Sequence, residues 1–230
     1  MALIETLRLV LARPHRAGYP FIAAAAGVTV AGLFLGYGLA SAGLMATGFC
    51  LYFFRDPDRV APSRPGLVVS AADGRVVSIS HAIPPAELRL GPEPRWRVAT
   101  FLSILNVHVN RIPATGTLEA IDYHAGSFLN ASLDKASEAN ERNALAIRLP
   151  DGQTLGVVQI AGLVARRILC DVRAGDAVQA GDRFGIIRFG SRTDIYLPPG
   201  VRPLVEVGQT MVGGETVVAS LLPDGQAVGG

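Results

Sequence analysis

From Ala17 to Phe54 the chain carries no charged residue, and beyond Arg55-Asp56-Pro57-Asp58-Arg59 it breaks into short apolar runs separated by glycine, proline and aspartate. As one straight helix the uncharged run would be roughly twice the length a ~30 Å hydrocarbon core requires, at about 1.5 Å per residue. Gly36-Tyr37-Gly38 near its middle is a turn signal, so the pattern predicts two helical passes, each slightly short. Arg13 and Arg16 precede the run, and Arg55, Arg59 and Arg64 follow it; positive flanks on both sides predict a re-entering hairpin with both ends cytoplasmic. A cleaved signal peptide would have an apolar region of only about 7–15 residues, and a buried soluble helix pair would show a polar face. Upstream, Leu3, Leu7, Val10 and Leu11 recur at helical spacing with Arg8, Arg13 and Arg16. That pattern fits a basic amphipathic helix over residues 1–16 on an anionic membrane surface, or simply a positive flank.

The remainder reads as strands. Leu67–Ser70, the Asp73-Gly74 turn and Arg75–Ile79 predict strand, tight turn, strand; Trp96–Leu102 alternates; Gly116–Tyr123 and Leu145–Leu149 predict two more. Pro84–Pro94 is a surface loop by composition, and the polar stretch Asn130–Asn143 is a short helix or an ordered loop. The last third carries an internal repeat: Val172, Gly175, Val178, Gly181 and Phe184 recur at the spacing of Val205, Gly208, Met211, Gly214 and Val217. Two strand–glycine–strand units suggest a small β-sandwich, similar to the barrel-sandwich hybrids of lipoyl and biotinyl carriers. A carrier needs a displayed lysine, and no lysine follows Lys135. The fold expected is therefore mainly β with few short helices over 57–230, plus an α-helical membrane hairpin over 1–56.

Composition narrows the functional classes. Of 230 residues 50% are hydrophobic and 17% charged, below the roughly 25% charged of soluble domains. A net charge of +2, with no basic run interleaved with aromatics, points away from nucleic acid. Cys50 and Cys170 form neither a disulfide framework nor a metal motif, and no phosphate loop is present.

Four histidines are acid–base candidates. His15 lies in the basic flank, His81 borders the proline-rich loop, and His124 follows Asp122-Tyr123. His108 follows an apolar strand in Asn106-Val107-His108-Val109-Asn110, where period two would put three polar residues on one face; a satisfied structural histidine fits this pattern too. Asp73 is the residue type a turn favours for its geometry alone. Arg188-Phe189-Gly190-Ser191-Arg192-Thr193-Asp194 reads by spacing as a glycine turn between Ile186–Phe189 and Ile195–Leu197, at the hairpin linking the two repeats. The chemical alternative is that the Ser191 hydroxyl attacks the preceding carbonyl, exchanging an amide for an ester that elimination can break.

Taken together, these segments resemble the phosphatidylserine decarboxylase family in its short membrane-anchored prokaryotic form. The resemblance runs through Tyr52–Pro57, Ala72–Val76, Leu105–Pro113, Phe128–Ala136, Glu141–Asn143, Gly162–Ile168 and Arg188–Asp194. It implies a pyruvoyl enzyme that splits at Gly190-Ser191 into a β-chain, 1–190, and an α-chain, 191–230, which stay associated. Ser191 is the nucleophile and becomes the pyruvoyl group, Gly190 supplies the carbonyl attacked, and Asp73 and His108 complete a Ser-His-Asp arrangement. The sequence departs from longer members at Arg111, where they carry a second histidine, the one usually assigned to cleavage; a guanidinium is a poor base, so either His108 serves both self-cleavage and decarboxylation or another group replaces that imidazole. The implied reaction uses no pyridoxal phosphate and no metal. The pyruvoyl ketone forms a Schiff base with membrane phosphatidylserine, drains the electrons left by CO₂ loss, and releases phosphatidylethanolamine. His108 is the implied proton donor. Arg111 and Arg192, with Arg188, are candidates for the substrate phosphate or carboxylate, against a solvated or structural role. The resemblance places the enzyme at the cell membrane with its catalytic domain on the cytoplasmic side and leaves a homodimer open. The competing classes are a non-enzymatic membrane-tethered β-sandwich scaffold and a pyruvoyl decarboxylase of a soluble amino acid.

Overall fold

The computed structural model describes residues 12–126, 140–162, 167–188 and 190–222. It divides into two compact units, one of Met1–Asp58 with Leu105–Val109 and one of Arg59–Ile104 with Asn110–Gly230.

The first unit is a helical hairpin, α1 (Tyr19–Leu35) and α2 (Tyr37–Phe53), each of 17 residues. Pro20 occupies the first turn of α1, where its missing N–H costs nothing, and Gly36, at φ 146°, breaks the run. The two helices touch through small residues. A Cβ on Gly32 would sit 2.2 Å from the Ala40 nitrogen and one on Gly43 2.5 Å from that of Thr29, so only glycine permits this approach. Thr29 and Thr47 hydroxyls meet across the pair at 3.4 Å. Phe34, Leu35, Tyr37 and Met45 face outward. Arg16–Leu35 is long and apolar enough to cross a membrane by length and composition, while α2 is a shorter apolar helix. At the base, the His15 N–H donates to the Phe54 carbonyl at 2.7 Å, Phe21 stacks on Phe54, and Arg55 donates to the carbonyls of Tyr52 and Leu105. The expected basic helix over 1–16 falls mostly outside the described residues. Its last residues form a bridge (Pro14 to Arg55) and the start of a 3-10 turn (Arg16–Gly18).

The second unit is β apart from a short 3-10 turn at Ala86–Leu88. Its strands are β1 (Leu67–Val69), β2 (Gly74–Ala82), β3 (Arg95–Leu102), β4 (Val109–Arg111, whose first residue belongs to the other unit), β5 (Gly116–His124), β6 (Arg142–Arg148), β7 (Thr154–Ala161), β8 (Ile168–Cys170), β9 (Ala177–Val178), β10 (Arg183–Ile187), β11 (Ser191–Tyr196), β12 (Thr210–Met211) and β13 (Val217–Ser220). An eight-stranded antiparallel sheet runs β12-β2-β3-β11-β7-β6-β5-β9, beside a three-stranded β4-β10-β8 and a two-stranded β1-β13. The core fills one face of the large sheet with Val76, Val98, Leu145, Val157 and Ile195, against Ile112, Phe184 and Val218 from the small ones. The expected hairpin at Asp73-Gly74 does not form, because β1 pairs with β13 and β2 with β3. Most of the Asn130–Asn143 stretch lies outside the described residues.

The strand order is a palindrome about the β11–β7 pair. β2 and β5 carry bulges at equivalent places, between Val76 and Ser78 and between Leu118 and Ala120. Val69 donates to the Pro113 carbonyl and, reciprocally, Arg111 to that of Ala71, each at 2.8 Å. The repeat predicted for the last third is thus one part of a pseudo-two-fold that relates the two halves of the large sheet and exchanges β1-β13 with β4-β10, while β8 has no counterpart among the described strands. Gly175, Gly181, Gly208 and Gly214 all take φ between 80° and 94°, which is why glycine recurs there.

Candidate active site

Ser191 is not at a hairpin tip. β10 belongs to the three-stranded sheet and β11 to the centre of the eight-stranded one, so the chain changes sheets between Ile187 and Ser191. Gly190 makes that change at φ 70°, a conformation that favours glycine. Its carbonyl accepts the Gly162 N–H at 3.1 Å. Ser191 then enters β11 opposite Leu102 on one side and Ala161 on the other. Its side chain is fully buried, and its hydroxyl has no hydrogen-bond partner among the described residues. Burying a hydroxyl unsatisfied costs about 1–3 kcal/mol, so Ser191 lacks the hydrogen bond that a buried hydroxyl normally finds.

Paired residues on antiparallel strands share a face, so Ser191 lies on the core side of the sheet with Thr193, Thr100, Gln159 and Asn143. That face is apolar toward Ile195, Val157 and Leu145 and polar toward Ser191, and all five of these polar residues are buried. Two of their amides begin a chain: Asn143 Nδ2 donates to Gln159 Oε1 at 2.9 Å, and Gln159 Nε2 donates to Asn110 Oδ1 at 2.7 Å. The Nδ2 of Asn110, itself wholly buried, meets no partner among the described residues. Sequence reasoning placed Asn110 on a polar face but missed Gln159, whose signal was a lone amide inside the apolar run Leu155–Ala161.

Asp73 lies just before β2, which flanks β3 opposite β11. Arg75 and Arg192 both pair with Phe101, so Asp73 and Ser191 stand at one end of the sheet about two strand spacings, ~10 Å, apart. One Asp73 oxygen accepts the Gly213 N–H at 2.8 Å, and the other takes Arg59 Nη2 at 2.9 Å. Under the pseudo-two-fold the counterpart of Asp73 is Thr115, whose hydroxyl accepts the Ala180 N–H at 3.1 Å. The turn itself therefore needs one acceptor atom, and the second carboxylate oxygen is the one that takes Arg59.

His108, in the first unit, precedes β4 instead of lying in a strand, so the expected period-two face with Asn106 does not form. It is fully buried, its Nδ1 lies 3.0 Å from the Asn106 carbonyl, and its ring is 4.3 Å from that of Phe53. Burial, with the Arg55 charge adding to it and the Asn106 hydrogen bond opposing, lowers its pKa from 6.5 to about 4. The ring is therefore neutral at pH 7.

The two candidate arginines are both engaged. Arg111 donates to the Gly181 carbonyl at 2.8 Å. Arg192 points to the opposite face of β11 from Ser191 and forms a buried two-pronged pair with Asp194, at 2.7 and 2.8 Å. Of the other histidines, His15 caps the 3-10 turn, His81 packs on Trp96, and His124 ends β5. Among the described residues, no group of three His, Cys, Asp or Glu could hold a metal ion.

Comparison with known proteins points one way. The family model described as phosphatidylserine decarboxylase matches residues 46–219. A phosphatidylserine decarboxylase proenzyme of Granulibacter bethesdensis is 63% identical over 223 residues, 97% of this chain and 91% of the relative. Its counterpart in Gluconobacter oxydans is 61% identical over 96% of this chain and 100% of the relative. That of Cereibacter sphaeroides is 57% identical over 95% and 94%.

Proposed function

The chain belongs to the phosphatidylserine decarboxylase family and is a carboxy-lyase of phosphatidylserine; we propose that its catalytic group is a pyruvoyl made from its own Ser191. The observation that carries this is the buried Ser191 hydroxyl, without a hydrogen-bond partner among the described residues, beside a Gly190 carbonyl already hydrogen-bonded by the Gly162 N–H. An orphaned hydroxyl next to a polarised carbonyl suits a serine that is consumed in forming the group.

In self-cleavage the Ser191 hydroxyl loses its proton to a base and attacks the Gly190 carbonyl carbon, and the Gly162 N–H stabilises the charge that develops on oxygen. The amide becomes an ester. Loss of the Ser191 α-proton then breaks the Cβ–O bond, leaving Gly190 as a carboxylate, and water replaces the nitrogen of residue 191, which departs as ammonia. We assign the base to His108, neutral at pH 7 and serving both self-cleavage and decarboxylation, because Arg111 stands where longer members of the family carry the cleavage histidine; its support is assigned to Asp73 from the family resemblance. The pyruvoyl group, once formed, supplies an electron sink for the pair left by CO₂. After the cut, residues 191–230 remain held because β11 pairs with β3 on one side and β7 on the other, β12 with β2 and β13 with β1. The apolar helices anchor this domain at the cytoplasmic face of the cell membrane, where a lipid headgroup is within reach. Arg111 keeps its proposed substrate contact, whereas the buried pair with Asp194 accounts for Arg192 without a ligand. The scaffold class gives the buried Ser191 no role, and the soluble-amino-acid class leaves the apolar helices without one.

The test is the intact mass of the denatured, full-length protein beside Ser191→Ala. Two chains split at Gly190-Ser191, a ketone-reactive 191–230 fragment, an uncleaved control and CO₂ release from phosphatidylserine are expected. A single intact, catalytically active chain would overturn the pyruvoyl assignment.

A further inference from the structure

We propose that the Asn110 side-chain amide holds the carboxylate of the lipid's serine headgroup, with Gln159 and Asn143 as positioning residues. This rests on the reading of Ser191 above and adds to it the group that distinguishes substrate from product.

Three observations converge. First, Asn110 Nδ2 is a fully buried N–H donor with no partner among the described residues, and native folds rarely leave one so without a use. Second, its orientation is coupled to that of its neighbours. Gln159 accepts from Asn143 through Oε1, which leaves Nε2 to donate to Asn110 Oδ1, which in turn leaves Asn110 Nδ2 as the outward donor. A flip of any one amide alone would set like against like, so the three amides are oriented as a set, and in this structure the set ends on a donor. Third, Gln159 pairs with Thr193, two residues along the same face from Ser191, so the amide that binds Asn110 lies in the same polar patch as the Ser191 hydroxyl, which also lacks a partner among the described residues.

The chemistry selects the ligand. A donor with no charge suits an anion that must lose its charge during the reaction. A guanidinium on that carboxylate would stabilise the ground state more than the transition state and oppose CO₂ loss. The nearest buried guanidinium along β11, that of Arg192, is on the other face and neutralised by Asp194. One oriented N–H aligns the carboxylate without holding its charge. The phosphate of the headgroup is shared by substrate and product, so a preference built on the carboxylate favours uptake of the one and release of the other.

The experiment uses full-length protein in detergent. The catalytic ketone is reduced with borohydride so that nothing turns over, and the binding of short-chain phosphatidylserine and phosphatidylethanolamine is measured by calorimetry. Asn110→Ala is expected to weaken phosphatidylserine about 10- to 100-fold, the loss of one hydrogen bond to a charged group, and to leave phosphatidylethanolamine unchanged. Gln159→Met, which frees the amide without removing it, is expected to give a smaller loss of the same selectivity. Equal losses for the two lipids, or none, would overturn the proposal. So would an Asn110→Ala protein that stays uncut at Gly190-Ser191, which would assign Asn110 to maturation. If the wild-type chain itself carries no reducible ketone, the failure is that of the Ser191 reading instead.

Discussion

The pseudo-two-fold supplies a substitution that separates what Asp73 does for the fold from what it does for chemistry. Thr115 shows that a hydroxyl meets the N–H at the equivalent turn, so Asp73→Thr retains an acceptor for Gly213 and deletes only the second oxygen. A charge-assisted bond of about 1.5–3 kcal/mol becomes a neutral one of about 0.5–1.5. The Arg59 pair, with side chains 10% and 16% exposed, adds about 1 kcal/mol. The expected cost of Asp73→Thr is therefore about 2 kcal/mol. Asp73→Val has the same shape but leaves the Gly213 N–H unmet, and costs about 1–3 kcal/mol more. Both are measured by guanidinium denaturation in a Ser191→Ala background, where every protein is one chain. In the Ser191 background, the rate of appearance of the 191–230 fragment is followed by mass. If the carboxylate supports the base, Asp73→Thr slows cleavage by at least about 10²-fold while remaining folded. Cleavage within about threefold of wild type would refute the assignment of Asp73 to the chemistry. A Thr variant as unstable as the Val variant would refute the symmetry argument.

Three further outcomes are expected. His108 has its folded pKa lowered to about 4 from 6.5, so the unfolded chain binds the extra proton between those values. Its contribution, about 3 kcal/mol, is complete above pH 6.5 and is lost as pH falls toward 4; His108→Gln should flatten that limb in denaturation curves of the Ser191→Ala protein, and an unchanged limb would contradict it. Gly162→Pro deletes the N–H on the Gly190 carbonyl and should slow fragment release about 10²-fold in a pulse-chase, whereas an unaltered rate would remove that N–H from the mechanism. Arg192→Met removes the two-pronged partner of the buried Asp194 carboxylate, leaving Arg97 at 4.0 Å, and should cost about 3 kcal/mol by denaturation, with part of it recovered in Arg192→Met/Asp194→Leu; a single-variant loss under about 1 kcal/mol would contradict the pairing.

How much of this was legible in the sequence depended on whether each feature had a local cause. The hairpin break at Gly36 and the four repeat glycines were readable because each depends on backbone freedom that one residue type supplies. β7 was missed because it is buried on both faces, so Leu155–Ala161 shows no alternation to mark it as a strand. Strand pairing was misjudged at Asp73 and Ser191 for a related reason. A glycine between two strand-like runs resembles a hairpin whether the runs pair or go to different sheets, and only long-range partners decide. The Asn143–Gln159–Asn110 chain joins residues from three strands and had no local signature beyond an amide in an apolar run.

Duplication also explains why the site stands out once the fold is known. A pseudo-symmetric pair of residues faces the same backbone demands, so what both halves share is structural and what one half alone carries needs another reason. Gly181 and Gly214 are shared, each accepting the same φ, with the N–H of one donating to Ile112 and of the other to Ser70. The paired bulges of β2 and β5 are shared too. Asp73 is not, because Thr115 meets the same need with one oxygen. Ser191 is not either: its counterpart in the sheet registers is Gln153, on the short turn joining β6 to β7, whereas Ser191 is fully buried after a change of sheet. Both departures occur at the same end of the sheet, on strands either side of β3. Two independent breaks in the symmetry that converge on one place are what a single catalytic site grafted onto a doubled scaffold should produce. A purely structural duplication would have scattered them.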